Sequence, residues 1–311
     1  MGRRSRKSRN EEGVLDGGIV VWKPRGPSSR AVVNRAQRLL GFRGLGHCGT
    51  LDPLASGVMV LTGGMGSKFQ HWLTVHDKVY EATIWWGIGS DSGDAEGPLW
   101  SPAQRRRAPT AEEVKSVLPQ FLGEQDQVPP IHSAIRIGGR RSFKNAREGK
   151  TMELPSRRVR IDALELLELD GDQCRVRVEC GPGTYIRSLA RDLGEALGIP
   201  AMLMGLRRLS CGIHTLENAV LLDRVCRDHW WSLERLVAHL PQQKLTPAEC
   251  QVLAQGQQIS ATETAERMSG DRVAWSQGSV QGIIEDSDEG FKARRWLSRG
   301  LRETDSRNDL T

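Results

Sequence analysis

A glycine-rich loop that runs directly into an apolar stretch constrains the fold of this chain more than any other feature. The loop spans residues 46–57 and reads GHCGTLDPLASG. Its three glycines permit tight backbone turns and the close approach of another molecule. Residues 58–61 that follow are all apolar, which predicts a buried strand behind the loop. We therefore expect a rigid loop held at the edge of a core strand.

The loop contains one acidic residue, Asp52, which is followed by Pro53. Proline restricts the preceding residue to an extended conformation, so the direction of the Asp52 carboxylate is preset. Asp-Pro is also an ordinary surface turn. The loop alone does not distinguish a functional carboxylate from a turn residue.

Patterns along the rest of the chain predict both strands and helices. Residues 79–86 alternate between two faces, as a half-buried strand does. Capping and stop signals delimit the helices. The predicted strands are residues 18–22, 58–61, 79–86 and a hairpin of 159–167 with 175–180. The predicted helices are one from Ser28 or Ser29 to Gly41, one over 68–73, one from Thr110 to Leu118, and one capped by Thr184 and ended by Gly198. Residues 201–209 form one further, mostly apolar stretch.

A smaller module is predicted near the C-terminus. Thr246 and Glu249 form a capping box, and Gly256 ends the helix that follows. Short strands are expected at residues 272–275, 280–285 and 291–297. The predicted organisation is a disordered basic tail over 1–16, a main domain over 17–240, a small β-rich module over 241–297 and a loose tail over 298–311.

Charge favours a polyanionic partner. Lys and Arg number 44 against 38 Asp and Glu, a net charge of +6. Residues 125–150 lose apolar periodicity while basic residues accumulate, which predicts an arm that lies on nucleic acid. A solvated surface loop is the alternative. Its candidate contacts include Arg136, Arg140, Arg141 and Arg147.

Several classes of protein and site do not fit the sequence. The six cysteines contain no C-x-x-C pair, so we expect reduced thiols, and the basic start lacks the apolar core of a signal peptide. No apolar run approaches membrane-spanning length. The polar loop at 87–94 carries two acids, which we interpret as turn caps rather than metal ligands. We therefore expect a cytoplasmic protein without metal or cofactor.

Arg187 lies at an unusual position for a cation. It falls in the first turn of the helix after Thr184, off the predicted apolar stripe. The helix dipole favours acidic residues at that end. This predicts that Arg187 has another partner.

Five separated stretches resemble one family, the bacterial tRNA pseudouridine synthases of the TruB type. They occur in the family's order over about residues 17–210. The resemblance implies an α+β fold with a mixed, largely antiparallel central sheet, flanking helices and a PUA-like C-terminal module. The stretches are Lys23-Pro24 with Gly26 and Ser28-Ser29, residues 46–57, Lys78-Val79-Tyr80 with Gly87 and Asp91, residues 127–134 with 146–149, and residues 183–187.

The resemblance also assigns roles to residues of this sequence. Asp52 would be the catalytic aspartate, Tyr80 would stack on the target base and help to remove its proton, and Arg187 would pair with Asp52. Leu206 would line the pocket, and His47 would pack into the T loop of the RNA. The residues placed at the RNA are Lys23, Arg136, Arg140, Arg141, Arg147, Arg207 and Arg208.

The reaction implied is the isomerisation of the T-loop uridine of tRNA, uridine 55, to pseudouridine. It needs no outside energy or electrons, and Asp52 would act either by attacking the sugar carbon or by removing a sugar proton. We expect the tRNA T arm as partner and a monomer without an obligate protein partner. Three alternatives stay open: a non-catalytic tRNA chaperone, a base-releasing glycosidase and a guide-RNA-dependent pseudouridine synthase.

Overall fold

The computed structural model of the chain describes residues 15–103, 107–131, 154–260, 270–287 and 290–297, with the backbone alone at 136–137 and 140–141. These residues form two compact units. The larger unit takes the described residues within 19–62 and 70–230, and the smaller unit takes those within 1–18, 63–69 and 231–311. The predicted bounds of 17–240 and 241–297 stay a prediction. Within the described residues, no helix combines the length and apolar character that a membrane span requires.

The strands and helices of the described residues have the following bounds. The strands are β1 Gly17–Lys23, β2 Gly46–Cys48, β3 Ala55–Gly63, β4 Lys78–Trp86, β5 Gly89–Ser90, β6 Leu99–Trp100, β7 Gly123–Gln127, β8 Arg136–Ile137, β9 Arg140–Arg141, β10 Arg157–Asp170, β11 Gln173–Cys180, β12 Ala201–Cys211, β13 His214–Thr215, β14 Val220–Leu221, β15 Trp231–Ser232, β16 Gln242–Lys244, β17 Ile259–Ser260, β18 Asp271–Ser276, β19 Ser279–Ser287 and β20 Gly290–Trp296. The α-helices are α1 Ser29–Leu40, α2 Gln70–Thr74, α3 Ala111–Val117, α4 Ile186–Leu197, α5 Leu233–Val237 and α6 Pro247–Ala254.

A mixed, largely antiparallel sheet forms the centre of the larger unit, as predicted. Its strand order is β14-β1-β3-β12-β4-β11-β10-β7, with β2 paired to β3 and β13 paired to β12. The β12–β3 and β1–β14 pairs are parallel. The pairs of β4 with β12 and β11, of β10 with β11 and β7, and of β2 with β3 are antiparallel. This topology makes β12 the neighbour of both β3 and β4.

Helices bury their apolar sides against this sheet in two places. Leu189, Ala190 and Leu193 of α4 join a core with β4, β10, β11 and β12. Val32, Val33 and Ala36 of α1 pack with β1 and β3. Each fully buried aliphatic side chain contributes about 1.5–3 kcal/mol. The two cores support β3, β4, β12 and α4, the elements that position the candidate residues.

Most predicted elements are confirmed, with two exceptions at helix starts. Ser28 caps α1, Gly41 ends it, and Thr110 with Glu113 forms the predicted capping box of α3. The helix predicted from residue 68 instead begins at Gln70, after a 3₁₀ segment over Gly64–Phe69.

The Thr184 cap is wrong. The Thr184 hydroxyl donates to the carbonyl oxygen of Gly181 (3.1 Å), so it closes the preceding turn. Tyr185 occupies the cap position without a side-chain cap bond.

The smaller unit is mainly β, as predicted. Its five-stranded sheet has the order β16-β18-β19-β20-β17. The capping box of Thr246 and Glu249 starts α6, with Pro247 as its first residue. Leu253 of α6 packs with Ile284 and Phe291 in a separate apolar core. The result is a small β-rich module of PUA-like type.

Candidate active site

A cavity of about 280 Å³ lies where β4, β12 and the start of α4 meet the loop that precedes β3. Its walls include Leu51, Tyr80, Ile186 and Leu206. The charged groups at the cavity are Asp52, Lys78, Arg187 and Arg208. Asp52, Tyr80, Arg187 and Leu206, which the sequence assigned to one pocket, therefore lie together in the structure.

The loop that carries Asp52 is fixed from two sides. The Ser29 hydroxyl accepts the Leu51 N–H (2.8 Å) and donates to the Leu51 carbonyl oxygen (2.7 Å). Lys23 Nζ donates to the carbonyl oxygens of Pro24 (3.0 Å), Pro53 (3.3 Å) and Ala55 (2.6 Å). These bonds hold the residues on both sides of Asp52, so the carboxylate sits on a rigid support.

Arg187 joins two acidic residues. Its Nε lies 3.0 Å from Asp52 Oδ2, and its Nη1 lies 3.6 Å from Asp94 Oδ2. Nη1 also donates to the carbonyl oxygen of Ser92 (3.0 Å). The Arg187 side chain is only 5% exposed, whereas that of Asp52 is 34% exposed. The predicted pair with Asp52 is therefore present, with the carboxylate on its open side.

Arg187 does not lie off the buried face of its helix as predicted. It is among the buried residues of α4, together with Ile186 and Leu189. The first turn of α4 faces the Asp52 loop and the loop after β4, and these two loops cover the Arg187 side chain. Two acidic side chains and a carbonyl make that burial possible, because a buried guanidinium needs partners for its charge and donors.

Burial raises the pKa of Asp52 above its ordinary value, and the negative charge of Asp94 adds to the rise. The charges of Arg187 and Lys23 oppose it. Arg187 therefore offsets only part of the cost of burying the carboxylate. Its geometry still fixes the carboxylate's direction.

The start of α4 is held by an amide side chain. Gln127 Oε1 accepts the Tyr185 N–H (2.8 Å), and Gln127 Nε2 donates to the Tyr185 carbonyl oxygen (3.1 Å). Gln127 is the last residue of β7 and is buried. It supplies the fixed start that Thr184 was expected to give.

Two residues expected at the RNA are buried. Lys23 is 0% exposed and Arg208 is 1% exposed, so neither side chain can hold phosphates at the surface as predicted. Both donate to backbone carbonyl oxygens near Asp52. A buried cation must donate its hydrogen bonds to acceptors inside the fold. Here these are backbone carbonyl oxygens, which the sequence pattern does not reveal.

Arg207 does not join the cavity. Leu206 and Arg208 line it, and successive residues of a strand point to opposite faces. Arg207 instead lies 4.0 Å from Glu81 and places its guanidinium 5.9 Å from the centre of the Trp22 ring. It is exposed, but on the other face of the sheet.

His47 lies beside the cavity, in β2. It is half-buried, and the Gln70 side chain donates to its carbonyl oxygen. Burial and the charges of Arg208 and Arg30 lower the pKa of His47. These effects favour the neutral form of the imidazole.

The basic arm lies mostly outside the described residues. Arg136 and Arg140 belong to the β8–β9 pair, in which Arg136 is opposite Arg141 and Ile137 is opposite Arg140. Arg147 lies outside the described residues.

The sequence analysis missed Asp94 as a site residue. Its Oδ1 accepts the Ser92 hydroxyl (2.6 Å) and the Glu96 N–H (3.1 Å), which agrees with the predicted turn cap. Its Oδ2 faces Arg187. The signal was present in the sequence, because the loop at 87–94 holds two acidic residues.

Two further observations concern ligands and thiols. The six cysteines are all unpaired, and four of them are buried. No group of three His, Cys, Asp or Glu side chains that could hold a metal occurs among the described residues.

Comparison with known proteins gives matches over most of the chain. Residues 37–186 match the family described as TruB family pseudouridylate synthase, N-terminal domain. The tRNA pseudouridine synthase B of Azoarcus sp. strain BH72 is 40% identical over 80% of this chain and 85% of its own length. That of Rhodospirillum rubrum is 40% identical over 85% and 87%. That of Mycobacterium sp. strain KMS is 39% identical over 90% and 96%.

A solved structure supports the fold. A chain in the crystal structure of a Cbf5–Nop10–Gar1 complex superposes with a TM-score of 0.67, at 21% identity, over 92% of this chain and 84% of that chain. Because the relatives above are this similar over this much of its length, the chain belongs to the TruB family and is a pseudouridine synthase, an isomerase.

Proposed function

We propose that the chain isomerises uridine 55 in the T loop of tRNA to pseudouridine, with Asp52 as the catalytic carboxylate. The observation that carries the proposal is the pair of Asp52 with buried Arg187 at the wall of a cavity that also contains Tyr80. The three relatives described above are named for action on tRNA. An arginine-oriented acid beside an aromatic ring is an arrangement suited to chemistry on a nucleoside.

The reaction breaks the bond between the ribose carbon and the base nitrogen and forms a carbon–carbon bond to the same base. Asp52 would either attack the sugar carbon or remove a sugar proton, and both routes need the ionised carboxylate. Arg187 keeps that carboxylate in one orientation. The two steps leave the atom count of the nucleoside unchanged, as an isomerisation requires.

The apolar walls serve to exclude water from the detached base. Leu51, Ile186 and Leu206 line the cavity. Residues 58–61, the strand behind the loop, do not line the cavity, and the Val58 carbonyl oxygen accepts a hydrogen bond from Arg208. Tyr80 is buried and offers both a flat face and a hydroxyl to the base. Exclusion of water protects the cleaved base from loss to solvent.

The uridine must leave its stack to reach this cavity. We propose that His47 packs into the space it leaves and that the basic arm holds the phosphates, through Arg136, Arg140, Arg141 and Arg147. The net charge of +6 favours such binding. The β-rich smaller unit would contact the tRNA as a second, separate surface.

We further propose that the protein acts as a monomer in the cytoplasm, without an obligate protein partner. The substrate proposed here, tRNA, is itself cytoplasmic. Light scattering of the purified protein, alone and with tRNA, tests the monomer.

The test is release of tritium from tRNA transcripts labelled at C5 of uridine. We expect release by the wild-type protein and none by Asp52→Ala. Asp170→Ala, which changes an exposed acid in the β10–β11 turn, should behave as wild type. A transcript with cytidine at position 55 should release nothing. Equal release by wild type and Asp52→Ala would refute the assignment.

The same samples separate the alternative functions. If the protein is a chaperone, wild type and Asp52→Asn should promote tRNA folding equally well, and neither should release tritium. A base-releasing glycosidase would yield free uracil, which mass spectrometry detects. A guide-RNA-dependent enzyme would be inactive on the bare transcript.

A further inference from the structure

Arg208 is a buried cation, so the predicted contact with RNA phosphates at the surface does not explain its role. It lies on β12, directly opposite Tyr80 of β4 on one side and Gly57 of β3 on the other. The residue is 1% exposed, yet it lines the cavity that contains Asp52. No carboxylate forms an ion pair with it among the residues that the structure describes.

The guanidinium donates to backbone carbonyl oxygens of two separate residues. Its Nε donates to the carbonyl oxygen of Val58 (2.7 Å) and its Nη2 to that of Gly49 (3.3 Å). Tyr80 is its cross-strand partner on β4, and both residues line the cavity. Gly49 begins the turn that leads to Asp52, so one planar group connects Tyr80 with the loop of the catalytic carboxylate.

We propose that Arg208 is a positioning residue that donates a hydrogen bond to the Tyr80 oxygen and so fixes that oxygen relative to Asp52. This rests on the proposed role of Tyr80 at the base. A guanidinium has donors and no acceptor, so the phenol oxygen is the acceptor in this pair. The fork of a guanidinium reaches several acceptors in fixed directions, which an ammonium does not.

The charge of Arg208 acts on Tyr80 as well. Burial raises the pKa of Tyr80 to about 12, and the neighbouring thiols of Cys180 and Cys211 add to the rise. The charge of Arg208 acts in the opposite direction. Arg208 therefore favours the phenolate, the form that accepts a proton from the base.

A double-mutant cycle on single-turnover tritium release tests the proposal. Arg208→Gln should slow turnover about a hundredfold in the wild-type background, with little change in the KM for tRNA. In the Tyr80→Phe background, Arg208→Gln should slow turnover less than about threefold, because the hydroxyl that Arg208 positions is absent. Equal losses in the two backgrounds would overturn the proposal. Loss of activity in Asp52→Ala tests the proposed function separately, since that result does not depend on Arg208.

A spectroscopic measurement separates positioning from a purely structural role. The chain has two tyrosines, so Tyr185→Phe leaves Tyr80 as the single site for biosynthetic incorporation of difluorotyrosine, whose phenol is more acidic. In ¹⁹F NMR, Arg208→Gln should raise the pH midpoint of the Tyr80 signal. An unchanged midpoint in a folded variant would contradict the proposal.

A variant that retains Arg208 covers the case in which Arg208→Gln fails to fold. Tyr80→Phe removes the acceptor and leaves a buried guanidinium donor unpaired, so chemical denaturation should show a lower stability than wild type. Tyr185→Phe serves as the matched aromatic control and should lose less. Equal stability of wild type and Tyr80→Phe would show that the two side chains are not coupled.

Discussion

Arg187 holds Asp52 with its Nε at 3.0 Å while its Nη1 faces Asp94 at 3.6 Å. The two carboxylates therefore share one buried cation. The arrangement fixes Asp52 more tightly than a single ion pair, because the guanidinium cannot turn without losing contact with Asp94 or with the Ser92 carbonyl oxygen.

Arg187→Lys should reduce single-turnover pseudouridine formation about a hundredfold while tRNA affinity changes little. Lysine keeps the charge but loses the planar fork that reaches both acids. Arg191→Lys is the matched control, because Arg191 lies one turn later on α4, half-exposed and paired with Asp192. Full activity of Arg187→Lys would show that charge alone suffices.

Asp94→Asn should shift the acidic limb of the pH–rate profile to lower pH. Activity requires the Asp52 carboxylate, so it is lost as pH falls through the Asp52 pKa. That pKa is raised by burial and, in part, by the charge of Asp94. Removing the charge therefore lowers the pKa and extends activity into acid. Single-turnover rates over about pH 4–8 cover the range for a raised aspartate.

The control for this shift is Asp91→Asn, an exposed acid in the same loop. Its profile should superimpose on that of wild type. A limb that moves equally in both variants would assign the effect to the net charge of the loop.

The elements that the sequence predicted well are those whose own residues determine them. Residues 79–86 alternate in burial as their sequence alternates, and Ser28 caps α1 with a local hydrogen bond. The family resemblance brought Asp52 and Arg187 together, and periodicity alone would not. Contacts between residues far apart in the sequence decide whether a charged side chain such as Arg187 points to solvent or into the fold.

Lys23 and Arg187 show why the remainder was not predictable. A lysine before a proline suggests an exposed loop, but the carbonyl oxygens of Pro53 and Ala55 come from a different part of the chain. The burial of Arg187 likewise depends on Asp52 and Asp94 arriving from two other loops. Helical spacing gives the face of a residue but not what covers it.

Lys23→Met should destabilise the protein by about 1–3 kcal/mol, because three carbonyl oxygens lose their donor inside the fold. Chemical denaturation measures the loss. Lys115→Met on the exposed side of α3 is the control and should change stability by less than about 0.5 kcal/mol. A similar loss in the two variants would contradict the supporting role of Lys23.

The same lysine gives a pH signature. Burial lowers the pKa of Lys23 to about 8 in the folded protein, against an ordinary value of 10.5. Between these values the unfolded chain holds the proton and the folded protein does not, so the Lys23 contribution makes the free energy of unfolding rise with pH. We expect this part of the rise to be absent from Lys23→Met when stability is measured over the same interval.

Gly57→Ala should destabilise the protein more than Gly26→Ala, although the two glycines have similar backbone angles, with φ of +116° and +109°. A Cβ on Gly57 would lie 2.2 Å from the Arg208 carbonyl oxygen, whereas nothing lies within 4 Å of one on Gly26. Gly26→Ala therefore measures the left-handed backbone alone, about 1 kcal/mol. Gly57→Ala adds separation of the parallel β3 and β12 strands, at least about 2 kcal/mol more. Equal losses of stability in the two variants, measured by chemical denaturation, would show that β12 shifts freely to make room for the added Cβ. The contact between Arg208 and the Asp52 loop would then not depend on Gly57.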